Sequence, residues 1–148
     1  MNRQRRYKID RDSVALFCGA LLDSLERQNE IVSVVFIGAE EMRGLNRQYL
    51  NRDYSTDVLS FAYGAQEMDG MPFLVEIFIS PEAAVKQAAG SRISPDVEIR
   101  TLVTHGTLHL LGYDHETDKG EMMRLQKKLL RRKFFTAAPP LLRLKANR

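Results

Sequence analysis

Apolar residues recur every three or four positions in some segments of the chain and form short alternating or β-branched runs in others. The first pattern places apolar side chains along one face of a helix, and the second is typical of strands. Helical segments begin after Asp12 or Ser13, at about Ala39, at Pro81, at Pro95, and after Thr117 or Asp118, while strand segments cover 3–9, 31–37, 57–63 and 73–79. Most strands precede the helices that close the chain. We therefore predict an α+β fold, a small mixed β-sheet of about four strands packed against helices.

Two of the predicted helices begin with the same short motif. Ser80 and Ser94 are each followed by proline and then by an acidic residue. A serine hydroxyl can accept a hydrogen bond from the first helical turn, and proline is favoured at the first helical position. The second of these helices, from Pro95 to about Leu111, carries two of the three histidines of the chain.

The three histidines lie close together in the sequence, at positions 105, 109 and 115. Residues four apart share a helix face, so His105 and His109 can point at one ion. Gly112 can leave the helix in a left-handed turn that returns His115 as a third ligand. Three neutral imidazoles leave a coordination position open, as in catalytic zinc sites. We predict one Zn²⁺ per chain, although nickel, copper and iron also suit imidazole ligands.

This spacing also matches the zinc signature of one class of metalloprotease at every fixed position except one. The residue after the first histidine is Gly106, where that class has the glutamate that serves as general base. Glycine cannot accept a proton, and general-base catalysis is worth about 10²–10⁴-fold in rate. The sequence therefore favours a metal site whose chemistry differs from peptide hydrolysis.

Composition indicates one globular domain, which we place at residues 1–136, followed by a flexible basic tail at 137–148. A single cysteine, Cys18, lies in an apolar run and is expected to be a buried thiol; no disulfide can form within the chain. We find neither a leader peptide nor a membrane span, and expect a cytoplasmic protein.

The two ends of the sequence are strongly basic. Residues 1–8 carry four basic and no acidic side chains, and residues 122–148 carry nine basic and no acidic side chains. Both ends are candidate phosphate contacts, with a solvated helix face as the alternative.

Three segments together resemble the YbeY family of bacterial endoribonucleases and rRNA maturation factors. They are His105-Gly106-x-Leu108-His109-Leu110-x-Gly112-Tyr113-Asp114-His115; Leu45-Asn46-x-x-Tyr49 with Asp53 and Thr56–Phe61; and Glu76-Ile77-x-Ile79-Ser80-Pro81-Glu82. The resemblance implies a zinc-dependent, single-strand-specific endoribonuclease that matures the 3′ end of 16S rRNA and acts in ribosome quality control. It implies His105, His109 and His115 as metal ligands, and single-stranded rRNA and the small ribosomal subunit as partners.

The chain departs from the family pattern directly after the motif tyrosine, where the family usually has arginine and this chain has Leu50. Arg52, two residues further on, is our candidate for the catalytic phosphate clamp, and Arg47 is a second candidate. A guanidinium suits the charge that develops on phosphorus. Zinc lowers the pKa of its bound water to about 7, so His109 and the other ligands can support catalysis without a protein base. The alternative for both arginines is a solvated surface position.

Several alternatives remain open. Asp114 either accepts a hydrogen bond from a ligand imidazole or braces the turn. The tyrosines in the motif segments either stack on RNA bases or belong to the core: Tyr49, Tyr54, Tyr63 and Tyr113. Two other functions compete with the nuclease. One is a metalloprotease-like hydrolase with a displaced base, and the other is a non-catalytic ribosome-assembly module stapled by a metal whose fourth ligand is Asp114 or Glu116.

Overall fold

The computed structural model describes residues 1–27, 30–52, 56–63, 74–110, 119–132, 135 and 141–144. The helices are α1 Arg11–Ser24, α2 Ala39–Leu50, α3 Pro81–Ser91, α4 Pro95–Leu110 and α5 Glu121–Leu130, and the strands are β1 Tyr7–Ile9, β2 Ile31–Phe36, β3 Val58–Tyr63, β4 Leu74–Ile79 and β5 Leu142–Leu144. The predicted α+β class is confirmed. None of the described helices combines the length and the apolar content needed to cross a bilayer.

Strand β4 is the centre of a three-stranded mixed sheet. It pairs in parallel with β2 and antiparallel with β3, so the predicted strand segments 57–63 and 73–79 are neighbours in the sheet. Val75, Ile77 and Ile79 of β4 are completely buried. A strand covered on both sides requires apolar residues almost throughout, which explains why the β4 sequence is a nearly continuous apolar run.

The two faces of this sheet are covered by different helices. On one face, alternate strand residues such as Phe36 and Ile77 join a large core with side chains from α1, α3, α4 and α5. On the other face, Val35 and Phe78 pack with Met42 of α2 in a smaller core. Successive strand residues point to opposite faces, which produces this division. Helix α4 and helix α2 are therefore on opposite sides of the sheet.

Three helix starts test the predicted capping residues. Ser80 Oγ accepts from the amide of the third following residue at 3.3 Å, and Ser94 Oγ does so at 3.1 Å, which confirms both Ser-Pro starts. For α1 the predicted caps are wrong. The cap is Asp10, whose carboxylate accepts from Ser13 N at 3.0 Å, and Asp12 lies in the first turn, where acidic side chains are also favoured.

Helix α5 begins later than the sequence predicts. Its N-cap is Gly120, with a positive φ of 92° and no side-chain capping bond. Thr117 and Asp118, the predicted caps, lie outside the described residues. Glycine adopts this left-handed conformation without steric cost, which lets the chain enter α5 directly from Gly120.

The predicted flexible tail at 137–148 is contradicted for residues 141–144. Strand β5 pairs antiparallel with β1 in a two-stranded ribbon, and Leu141 is 1% exposed. The Leu141 amide donates to the carboxylate of Asp96 at 2.9 and 3.0 Å, and Asp96 also accepts from Arg100 at 2.6 Å. Burial of a leucine and satisfaction of a buried ion pair anchor this segment to the start of α4.

Candidate active site

Helix α4 places two of the predicted metal ligands on adjacent turns. His105 is half-buried and His109 is exposed near the helix end. Ile99, Val103 and Leu108 are buried on the same helix and hold it against the sheet. The helical spacing thus presents two imidazoles from a rigid element, as the sequence predicts.

A hydrogen bond from α5 orients the His105 ring. His105 Nδ1 lies 2.9 Å from Oε1 of Gln126, a side chain that is only 7% exposed. An amide oxygen can only accept, so this contact fits the tautomer in which Nδ1 carries the proton and Nε2 holds the lone pair. Metal-binding histidines typically donate their second ring N–H in this way, which fixes the tautomer. The arrangement fits a divalent metal such as zinc at Nε2.

The third predicted ligand, His115, lies outside the described residues, as do Asp114 and Glu116. Within the parts of the chain that the structure describes, no group of three or more His, Cys, Asp or Glu side chains is placed to hold a metal. His105 and His109 are therefore two of the three predicted donors, and the complete set stays a prediction.

Gly106 lies where helix α4 packs closely against the sheet. A Cβ atom added at this position would be 2.8 Å from Ser60 Oγ on β3 and 3.3 Å from Ile77 Cδ1 on β4. Contacts under 3.0 Å are essentially never tolerated by a real Cβ. A side chain at position 106, such as the glutamate of the metalloprotease signature, would therefore require Ser60 Oγ to rotate away or α4 to shift.

Arg52 lies exposed, just after helix α2. Asn51 ends α2 in the left-handed conformation with a φ of 54°, and Arg52 N donates to Asn46 O at 3.3 Å. Among the described residues, no hydrogen bond or ion pair connects Arg52 with His105 or His109. Arg47 is exposed in the last turn of the same helix. The proposed clamp role of either arginine stays a prediction.

Tyr49 is an exposed aromatic residue at the end of α2. Its ring is 56% exposed and meets Phe61 of β3 edge-on, with ring centroids 5.2 Å apart. Of the two alternatives for the motif tyrosines, its exposure fits a stacking surface better than a core position. The side chains of Tyr54, Tyr63 and Tyr113 lie outside the described part of the structure.

Gln126 is the site residue that sequence reasoning misses. A signal for it exists, because Met122, Gln126 and Leu129 recur at helical spacing and only the middle one is polar. A polar residue on an otherwise apolar helix face needs a buried partner. Identifying that partner as His105 requires the packing of α5 against α4.

Two titratable side chains, Cys18 and Glu98, have pKa values that are shifted by burial. Burial raises the pKa of Cys18 to about 12, so the thiol stays protonated, which agrees with the predicted core position. Burial and, to a lesser degree, the nearby Asp57 carboxylate raise the pKa of Glu98, in the first turn of α4. The Asp57 carbonyl accepts from Ser80 N at 2.9 Å, which fixes the start of β3 against the β4–α3 junction.

The chain is similar in sequence and in structure to several known proteins. A family model described as Endoribonuclease YbeY matches residues 1–133. The endoribonuclease YbeY of Nautilia profundicola is 46% identical over 101 residues, which cover 68% of this chain and 70% of the relative. That of Alkaliphilus metalliredigens is 36% identical over 140 residues, covering 87% and 90%. The solution structure of TM1509 from Thermotoga maritima has a TM-score of 0.61 at 27% identity, covering 85% of this chain and 81% of that one.

Proposed function

This chain belongs to the endoribonuclease YbeY family, and from that membership we propose that it is a zinc-dependent endoribonuclease specific for single-stranded RNA. Its proposed role is maturation of the 3′ end of 16S rRNA and ribosome quality control in the cytoplasm, with the small ribosomal subunit as partner. The observation that supports a metal-based mechanism most directly is the hydrogen bond from His105 to buried Gln126 at 2.9 Å.

We assign the metal to His105, His109 and His115. A bound zinc ion would polarise a phosphoryl oxygen and supply hydroxide at neutral pH. The protein's own contribution is orientation. Gln126 holds the His105 tautomer that keeps Nε2 available, and the α4–β3 contact at Gly106 fixes the helix that carries both imidazoles. Arg52 would bind the phosphate and stabilise the charge that develops on it during cleavage.

The peptidase alternative is disfavoured because Gly106 stands where the metalloprotease signature has the glutamate that serves as general base. Metal-assisted phosphodiester cleavage would not require that glutamate. The assembly-module alternative requires a fourth protein ligand, since structural zinc is usually four-coordinate. Metal content and activity together therefore separate the three functions.

The test uses purified wild-type protein, a His109→Ala variant and a matched Gln87→Ala variant, in which an exposed residue of α3 is changed instead. Each is analysed for zinc and incubated with unstructured RNA, duplex RNA and casein. We expect wild type and Gln87→Ala to bind zinc and to cut unstructured RNA only, and His109→Ala to lose both properties. Zinc-free, active wild type would refute metal dependence, casein cleavage would favour the peptidase, and zinc without any cleavage would favour the assembly module.

A further inference from the structure

Helix α5 presents four basic side chains along one exposed face. Arg124, Lys127, Lys128 and Arg131 follow the spacing i, i+3, i+4 and i+7, and all four are exposed. Residues at this spacing line one side of a helix, so these four cations, which we call the basic face of α5, extend over about 10 Å. The opposite side of the helix, with Met122, Gln126 and Leu129, is buried.

The charges of the basic face are not compensated by the acidic residues that the structure describes. Lys127, Lys128 and Arg131 have no carboxylate partner among them, and Arg124 donates only to the neutral carbonyl of Lys119, at 3.1 Å. The basic N-terminal segment differs in this respect. Two of its arginines pair with glutamates elsewhere in the chain: Arg3 with Glu41 at 2.7 Å and Arg6 with Glu82 at 3.0 Å. Of the two basic ends of the sequence, α5 therefore offers the stronger field to an anionic partner.

The basic face lies on the same helix as Gln126, a residue of the candidate active site. Gln126, whose side chain holds His105 at 2.9 Å, lies between Arg124 and Lys127 in the sequence and on the opposite side of the helix. The helix, about 10 Å across, therefore separates a polyanion bound along this face from the His105 ring. A strand that contacts both the basic face and the histidines must extend around α5.

We propose that the basic face of α5 binds the sugar-phosphate backbone of single-stranded RNA on the helix that also orients His105, an inference that rests on the proposed nuclease function. Charge complementarity selects a polyanion, and the proposed nuclease function makes single-stranded RNA the expected polyanion. An anionic membrane is a poorer occupant, because a membrane-binding helix inserts its apolar face, and Met122 and Leu129 of α5 are buried in the protein core.

The first measurement is the salt dependence of RNA binding. A fluorescein-labelled, 2′-O-methylated, unstructured oligonucleotide is titrated with wild type and with Lys127→Ala/Lys128→Ala, and its integrity is checked on a gel. Each lost phosphate contact on a single strand lowers the slope of log K against log salt by about 0.7. Between 50 and 200 mM salt, the affinity of wild type should therefore fall about sevenfold more than that of the double variant. Cleavage of unmodified RNA should show a raised KM with kcat nearly unchanged.

The matched control is Arg11→Ala/Lys86→Ala, which removes the same charge from two other exposed helical positions. It should keep the wild-type slope, and both double variants should unfold at the wild-type temperature. An unchanged slope and KM in Lys127→Ala/Lys128→Ala would overturn the proposal, and so would an equal effect in the control. Binding to phosphatidylserine vesicles that is lost in the α5 variant, with RNA binding intact, would assign the surface to membranes instead. Wild type that neither binds nor cuts RNA would refute the proposed function itself.

Discussion

The contact between Gly106 of α4 and Ser60 of β3 allows a quantitative test of how helix α4 is docked on the sheet. A Gly106→Ala substitution has two opposing effects. Alanine is favoured over glycine inside a helix by about 1 kcal/mol. The added Cβ would lie 2.8 Å from Ser60 Oγ, so the serine must leave its position or α4 must shift. Such overpacking typically costs about 1–3 kcal/mol. The net expectation is a loss of stability of about 1 kcal/mol.

Removing the serine hydroxyl should reverse the sign of the effect that Gly106→Ala has on stability. In a Ser60→Ala background, the nearest remaining atom is Ile77 Cδ1 at 3.3 Å, the end of a flexible side chain that can move by a few tenths of an ångström. Alanine at 106 should then contribute its helical preference and raise the stability by up to about 1 kcal/mol. The two substitutions are therefore coupled by about 1–3 kcal/mol, the magnitude of the overpacking that the second substitution relieves.

The assay is urea denaturation of wild type, Ser60→Ala, Gly106→Ala and the double variant. The thermal midpoints supply a second measure, since 1 kcal/mol corresponds to about 2–4 °C for a chain of this length. Additivity within about 0.5 kcal/mol would mean that the two residues do not touch. In that case the steric conflict between a side chain at position 106 and Ser60 would lose its structural basis.

Three further predictions concern the surroundings of α4. Gln126→Leu should weaken zinc binding about 10–100-fold in a chelator competition, because His105 loses the acceptor that fixes its tautomer. Gln126→Glu keeps an acceptor and should retain tight binding. Equal zinc affinities in wild type and both variants would contradict the positioning role of Gln126. Asp96→Ala should cost about 3–5 kcal/mol in urea unfolding, because it leaves a buried guanidinium unpaired; a loss under 1 kcal/mol would contradict this. The pKa of Glu98 is raised above its ordinary 4.5 in the folded state, so ionisation of this carboxyl destabilises the fold as the pH rises through that range. The stability of Glu98→Gln relative to wild type should therefore be greater at neutral pH than below pH 4.5. A stability difference that does not depend on pH would refute the shift.

Local signals account for the parts of the fold that the sequence predicts well. The Ser-Pro starts of α3 and α4 work within one helical turn, through a hydroxyl that accepts from the third following amide. The β3–β4 pairing follows from two short strand patterns with a turn-like segment between them. Strand β5 has no comparable signal. Its partner β1 is more than 130 residues away in the chain, and the segment is held by Asp96, which the sequence marks only as a first-turn acid.

Helix α4 shows the same distinction between local signals and contacts between distant elements within a single motif. Spacing alone predicts that His105 and His109 share a face of α4, because that relation depends only on the helical repeat. The meaning of Gly106 depends on a contact between different elements. From sequence it is the loss of a catalytic side chain, and in the structure it is the place where α4 approaches β3 so closely that an added Cβ would displace Ser60 Oγ or the helix. His105 is the adjacent residue, and its ring contacts Gln126 of α5. A larger residue at 106 would therefore strain the same helical turn that carries His105, so its cost would fall on both the α4–β3 packing and the placement of the imidazole.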